Sequence, residues 1–144
     1  MKIFIASDHA GFAMKQYILE YSGFKIIDLG TNGTEACDYP IFAQELSNKV
    51  LKAEGSYGIL ICSTGIGMAI AANRYKGIRA ALCFNEQMAE LSRRHNDANV
   101  IVFGSSVISN ETALDCLKLF LDTGFEFGRH LRRLNLLETA NLVQ

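Results

Sequence analysis

The sequence predicts an α/β fold: a three-layer α/β/α sandwich around a five-stranded, parallel, Rossmann-like sheet. Three observations carry this. Short apolar runs rich in Ile, Val and Phe lack strict polar alternation, as strands buried on both faces do. The longer segments between them repeat apolar residues at helical spacing. The strand–helix alternation recurs about five times, which a parallel sheet covered by helices on both faces explains. With 144 residues, the chain is expected to form one domain over 1–144 with a single sizeable core.

The elements follow in order. Lys2–Ser7, Phe24–Leu29, Tyr57–Cys62, Ile78–Cys83 and Asn99–Phe103 read as strands. Met14, Tyr17, Ile18 and Tyr21 mark one helical face between them, and Phe42, Leu46 and Val50 mark another. Pro40 sits near the first turn of that second helix, where a missing N–H costs least. Met88, Leu91 and His95 share a further face, as do Leu114, Leu117 and Leu121. After Gly124-Phe125-Glu126-Phe127-Gly128 a final helix is expected over Arg129–Val143, with Leu131, Leu134 and Leu137 as its apolar side. It has no strand to cross over to, so it docks either on its own domain or on a neighbouring subunit.

Charge and cysteine usage narrow the function class. Fourteen Lys and Arg against fifteen Asp and Glu leave a net charge of −1. That balance removes the broad electrostatic case for nucleic-acid or polybasic membrane-surface binding. No apolar run approaches about 20 residues, so no spanning helix is expected. Asp8 and His9 interrupt the first apolar stretch too early for a secretory segment, and the chain reads as cytoplasmic. Cys37, Cys62, Cys83 and Cys116 form no CxxC pair, and His9, His95 and His130 form no HExxH. Reduced thiols and no sequence-local metal site are expected.

In parallel α/β sheets ligands bind beyond the carboxyl ends of the strands. Small, polar and titratable residues concentrate in Ser7-Asp8-His9-Ala10-Gly11, in Gly30-Thr31-Asn32-Gly33 with Asp38-Tyr39-Pro40, in Cys62-Ser63-Thr64-Gly65-Ile66-Gly67 and in Arg94-His95-Asn96-Asp97. The third segment is the most informative. A strand-end thiol followed by Ser-Thr-Gly-Ile-Gly and a helix turns several backbone N–H groups into one space, where they suit an anion or a developing oxyanion. The same field favours a thiolate at Cys62. On burial tendencies alone, a cysteine closing an apolar strand is usually a small buried hydrophobe.

Sharper motifs fail. Ile70 stands where a dinucleotide fingerprint needs its third small residue, no Gly-Lys-Ser/Thr ends a P-loop, and Met68 stands where a cysteine phosphatase needs arginine. Arg129 and Arg133 share a helix face and suit a phosphate dianion, or else form a solvated basic turn. His95 reads either as a site residue or as a half-buried histidine at a helix end.

Taken together these segments resemble the ribose-5-phosphate isomerase B family, within the ribose and galactose phosphate isomerases. The resemblance rests on Ser7–Phe12, Asp38-Tyr39-Pro40, Gly58–Gly67, Ala71–Arg74, Gly77–Ala80, Leu91–Val100, Gly128-Arg129-His130 and Arg133, in order from about residue 2 to about 135. It implies a cofactor-free, metal-free aldose–ketose isomerase, active as a homodimer or tetramer with sites built by two subunits, its C-terminal helix over Arg129–Val143 reaching the partner subunit, and acting on a phosphosugar. By that resemblance Cys62 is the base shuttling a proton between C1 and C2. The Ser63–Gly67 backbone, through Ser63, Gly65, Ile66 and Gly67, is the anion hole, supported by Thr64. His95, with Asp8 and Asn96, opens the furanose ring. Tyr39 lines the sugar pocket, and Arg129, Arg133 and His9 receive or flank the phosphate. A family branch has glutamate at the position of Met68 and lacks the cysteine, so this chain falls in the thiol branch, associated with ribose 5-phosphate. Ser63 departs from the glycine often found there. The alternatives are isomerisation of allose or galactose 6-phosphate, and a non-catalytic phosphosugar-binding protein.

Overall fold

A computed structural model describes residues 1–140; the expected helix end at Val143 lies outside the described residues. The elements are β1 (Ile3–Ser7), α1 (Phe12–Tyr21), β2 (Ile26–Asp28), α2 (Tyr39–Lys52), β3 (Tyr57–Cys62), α3 (Ile66–Ala72), β4 (Ala80–Leu82), α4 (Glu86–Asn96), β5 (Val100–Gly104), α5 (Asn110–Asp122) and α6 (Arg129–Glu138). All strand pairs are parallel, in the order β2-β1-β3-β5-β4. The three central strands are buried nearly throughout, which is why their sequences lack alternation.

The two faces of the sheet make two apolar layers. One gathers Ile5, Ile59, Ile61 and Phe103 with Met14 and Ile18 of α1, Ala89 of α4, and Leu117 and Phe120 of α5. The other gathers Phe4, Leu60, Cys62 and Val102 with Leu46 and Val50 of α2 and Met68 of α3. The chain runs outward from β1 to β2, then returns to place β3 on the other side of β1. The carboxyl ends of β1 and β3 therefore flank the topological switch point, the usual crevice of such sheets.

Expectation and structure differ at the edges. β2 is three residues, Ile26–Asp28, and β4 is three, Ala80–Leu82, each shorter than its apolar run. An edge strand has a ladder partner on one side only, so less of its backbone is held. The predicted apolar face of α4 is also wrong. Met88 is exposed and Leu91 half-buried, while Ala89, Ser92 and Arg93 face the core. Arg93 is tolerated there because its donors are satisfied: it donates to the Ala98 carbonyl at 2.7 Å, the Thr123 carbonyl at 3.2 Å and Asp97 Oδ1 at 2.8 Å. Its guanidinium also lies over the rings of Tyr57 and Phe120. A buried arginine is invisible to a pattern of apolar residues.

Lys15 is fully buried on α1 and pairs with Asp28 of β2, its ammonium 2.7 and 2.9 Å from the two carboxylate oxygens. The pair ties the thin edge strand to the helix above it. Removing one partner strands a buried charge, which costs more than removing both. We expect Asp28→Ala to cost about 2 kcal/mol in urea denaturation, discounted because the carboxylate is partly solvated. The Lys15→Met/Asp28→Ala double variant should recover a measurable part of that loss.

Candidate active site

The candidate residues fall at two opposite ends of the sheet. At the carboxyl edge, the turn after β1 packs against the end of β3. The Asp8 N–H donates to the Ile61 carbonyl at 3.2 Å, and the Asp8 carboxylate accepts the Gly11 N–H at 3.1 Å, which orients it inside the turn. His9 Nδ1 accepts the Cys37 N–H at 3.2 Å, leaving Nε2–H of the neutral ring as a donor. The Cys37 sulfur is 3.8 Å from the same nitrogen.

Cys62 closes β3 at 5% exposure and packs in the apolar layer with Met68 and Leu60. Its burial fits the small-hydrophobe reading, and its place at the switch point fits the site reading. Immediately beyond it Ser63 and Thr64 are exposed. Two serines that follow β5 hold this turn. Ser105 donates its N–H and hydroxyl to the Cys62 carbonyl, and its hydroxyl also reaches the Ala10 carbonyl at 2.9 Å. Ser106 donates its N–H and hydroxyl to the Ser63 carbonyl, at 2.9 and 2.6 Å. Thr64 Oγ1 accepts the Ile66 N–H at 3.3 Å.

Gly65 precedes α3 with φ +80°, a left-handed conformation that a side chain strains, and it turns the chain from strand into helix. The first N–H groups of α3 have no intrahelical acceptor. Tyr39, the first residue of α2, lays its ring across Gly67: a Cβ there would stand 2.6 Å from Tyr39 Cζ. Asp8, His9, Tyr39, Cys62, Ser63, Thr64, Gly65, Ile66 and Gly67 thus belong to one edge.

His95 and Asn96 do not. Helices that return between parallel strands run opposite to them, so the carboxyl end of α4 sits at the amino edge of the sheet, just before β5. Cys62 pairs with Gly104 and Gly58 with Val100. Those four steps of strand separate the two edges by ~13 Å at about 3.3 Å per residue. The expectation that Arg94–Asp97 joins the strand ends is corrected by this polarity.

At the amino edge His95 stacks on His130 of α6, ring centroids 4.2 Å apart and planes 12° apart. Glu126 Oε2 is 3.9 Å from His95 Nε2 and 3.6 Å from His130 Nε2. The other carboxylate oxygen is held by Arg94 at 2.5 Å. That guanidinium, by hydrogen bond and charge, holds the Glu126 carboxyl below its usual range. Burial, then the neighbouring His95 and Arg129, push the His130 imidazole below its ordinary value, so it favours the neutral form. Arg129 and Arg133 are exposed on the same helix.

α6 packs on its own chain through His130 and Leu134, and a 2.8 Å ion pair joins its Glu138 to Arg79, the residue before β4. Of the three leucines expected to form its apolar side only Leu134 is buried; Leu131 and Leu137 are exposed, and so is Leu136. A cavity of 770 Å³ lined by Asn73, Ile78, Asn96 and Leu137 opens beside it, away from the Cys62 turn.

The sequence reading passed over Ser105, Ser106 and Glu126. The first two follow a strand carboxyl end and were findable by the rule that found Cys62. Glu126 carries no local signal, because its partners are 31 residues before it and four after it.

Gly67→Ala would push the Tyr39 ring outward. We expect a loss of about 1–2 kcal/mol in denaturation. The loss should shrink clearly in a Tyr39→Ala background, since the two side chains meet directly.

Comparison with known proteins matches the ribose/galactose isomerase family model over residues 3–137. Ribose-5-phosphate isomerase B of Escherichia coli is 43% identical over 135 residues, covering 92% of this chain and 91% of that one. The structure of Clostridium thermocellum ribose-5-phosphate isomerase B superposes with a TM-score of 0.92 at 44% identity, covering 96% of this chain and 95% of that one. That of the Thermotoga maritima ribose 5-phosphate isomerase gives 0.91 at 46%, covering 95% and 97%.

Proposed function

The chain belongs to the ribose/galactose isomerase family and is a sugar phosphate isomerase; we propose that it interconverts ribose 5-phosphate and ribulose 5-phosphate through an enediolate, with Cys62 as base. The observation that carries the reading is the strand-end thiol at the β1/β3 switch point, beside the Ser63–Gly67 turn. The printed names of the relatives support the substrate.

In the open-chain aldose the Cys62 thiolate takes the C2 proton. The C1–C2 double bond forms as electrons move onto O1. The O2 proton passes to O1, and the thiol returns its proton to C1, leaving the ketose carbonyl at C2. A proton α to a carbonyl is weakly acidic, so a base alone supplies only about 10²–10⁴-fold. N–H donors of the turn, aimed at O1, add roughly 10²–10³-fold each. Thr64 supports that turn, Tyr39 lines the sugar, and Asp8 assists opening of the furanose ring. His9 and the two arginines bind the phosphate, a remote handle whose binding energy orients the reacting carbons. No metal or organic cofactor enters these steps.

One chain cannot bring His95 to Cys62 across ~13 Å of strand. We therefore assign ring opening at each site to the partner subunit's His95 with its Asn96, and phosphate binding to the partner subunit's Arg129 and Arg133, in a homodimer. The exposed Leu131, Leu136 and Leu137 beside these residues support that assembly.

Cys62→Ala should lower kcat at least about 10²-fold in an isomerase assay run with chelator present; full activity would remove the thiol from the mechanism. Comparing kcat/KM for ribose, allose and galactose phosphates tests the substrate. Refolding Cys62→Ala together with His95→Asn tests the shared site. Random two-fold pairing restores about a quarter of the wild-type sites if residues cross between subunits, and none if each chain is self-sufficient.

A further inference from the structure

We propose that His95, Glu126 and His130 form a binding site for a divalent transition-metal ion of the zinc type, and that an ion held there inhibits the isomerase by occupying the His95 imidazole. The inhibitory half rests on the role assigned to His95 above; the binding half does not.

The donor atoms are already gathered. The two ring nitrogens and Glu126 Oε2 lie within 4.8 Å of one another, with the carboxylate oxygen 3.6 Å from His130 Nε2 and 3.9 Å from His95 Nε2. Ligands about 2.0–2.1 Å from a tetrahedral ion stand about 3.3 Å apart, so the cluster closes around one with movements of less than about an ångström. His95 and Glu126 are partly exposed and free to make them. The two rings lie stacked with 12° between their planes, which keeps both imidazoles beside the same carboxylate.

Two further features point to a ligand. His130 Nε2 is buried and has no hydrogen-bond partner, an unfavourable state that a coordinated ion would relieve. Arg94 grips Glu126 Oε1 and so leaves Oε2 facing the histidines. A partner that fixes the outer oxygen of a ligating carboxylate is characteristic of metal sites. Two imidazoles and one carboxylate suit zinc-like ions better than magnesium or calcium, which prefer oxygen alone. Three protein ligands leave a position open to water or an anion. Arg94, Arg129 and Arg133 nearby oppose a cation, so binding is expected to be reversible by chelator rather than permanent.

The test uses the full chain after chelator treatment and dialysis. Cobalt(II) should bind at one ion per chain with tetrahedral visible bands and no thiolate charge-transfer band. Zinc affinity, measured by competition with a chromophoric chelator, should fall at least about tenfold in both Glu126→Gln and His130→Gln. Zinc should slow the wild-type enzyme, chelator should restore it, and the half-inhibiting concentration should rise in Glu126→Gln by the same factor as its Kd. A thiolate band, or equal zinc affinity in wild type and both variants, overturns the site. Zinc bound at this site without loss of rate overturns the inhibition. Absence of isomerase activity in metal-free protein sinks the substrate reading instead, and the cobalt spectrum still decides the site.

Discussion

Every chemical feature of this chain is placed by the polarity of its parallel sheet. Right-handed crossovers send each helix back antiparallel to the strand it follows. Strand carboxyl ends and the starts of the helices that follow them therefore share one edge; the carboxyl ends of those helices share the other, where α6 begins. The Cys62 turn and the β1 turn lie on the first edge; His95, Glu126, His130 and the α6 arginines lie on the second. No rotamer change crosses the strand length between them. The proposed site draws on both sets, which is why the proposal takes one of them from a second copy of the chain.

The two edges are built by different physics. The carboxyl edge is a backbone device. Ser105 and Ser106 hold carbonyls, Gly65 supplies a left-handed turn, and Gly67 admits the Tyr39 ring, which together shape the turn beyond Cys62. The amino edge is a side-chain device. Arg93 is buried to hold the end of α4 against the end of α5, and Arg94 beside it clamps Glu126. The adjacent arginines on one helix thus do different jobs, the first in the core and the second at the surface. A basic run of letters does not distinguish them.

Comparison of particular elements shows where pattern reading works. β1, β3 and β5 were legible because strands buried on both faces must be apolar throughout, and the Cys62–Gly67 turn because glycine at a strand end has few other uses. β2 and β4 came out shorter because edge strands lose half their ladder. The face of α4 was misread because Arg93 satisfies its charge with carbonyls contributed by distant segments. Leu131 and Leu137 have the spacing of a core face and stay exposed, since α6 packs on its own chain through His130 and Leu134.

The sequence by itself determined the α/β class, the parallel sheet and the residue types available for proton transfer and anion binding, because hydrophobic periodicity and strand-end chemistry are local. Only the tertiary structure decided which of those residues meet. Strand order, the burial of Arg93 and Lys15, and the stacking of His95 on His130 beside Glu126 depend on contacts between residues far apart in the chain. Such contacts are settled by packing and charge satisfaction in three dimensions and leave no periodic trace in one.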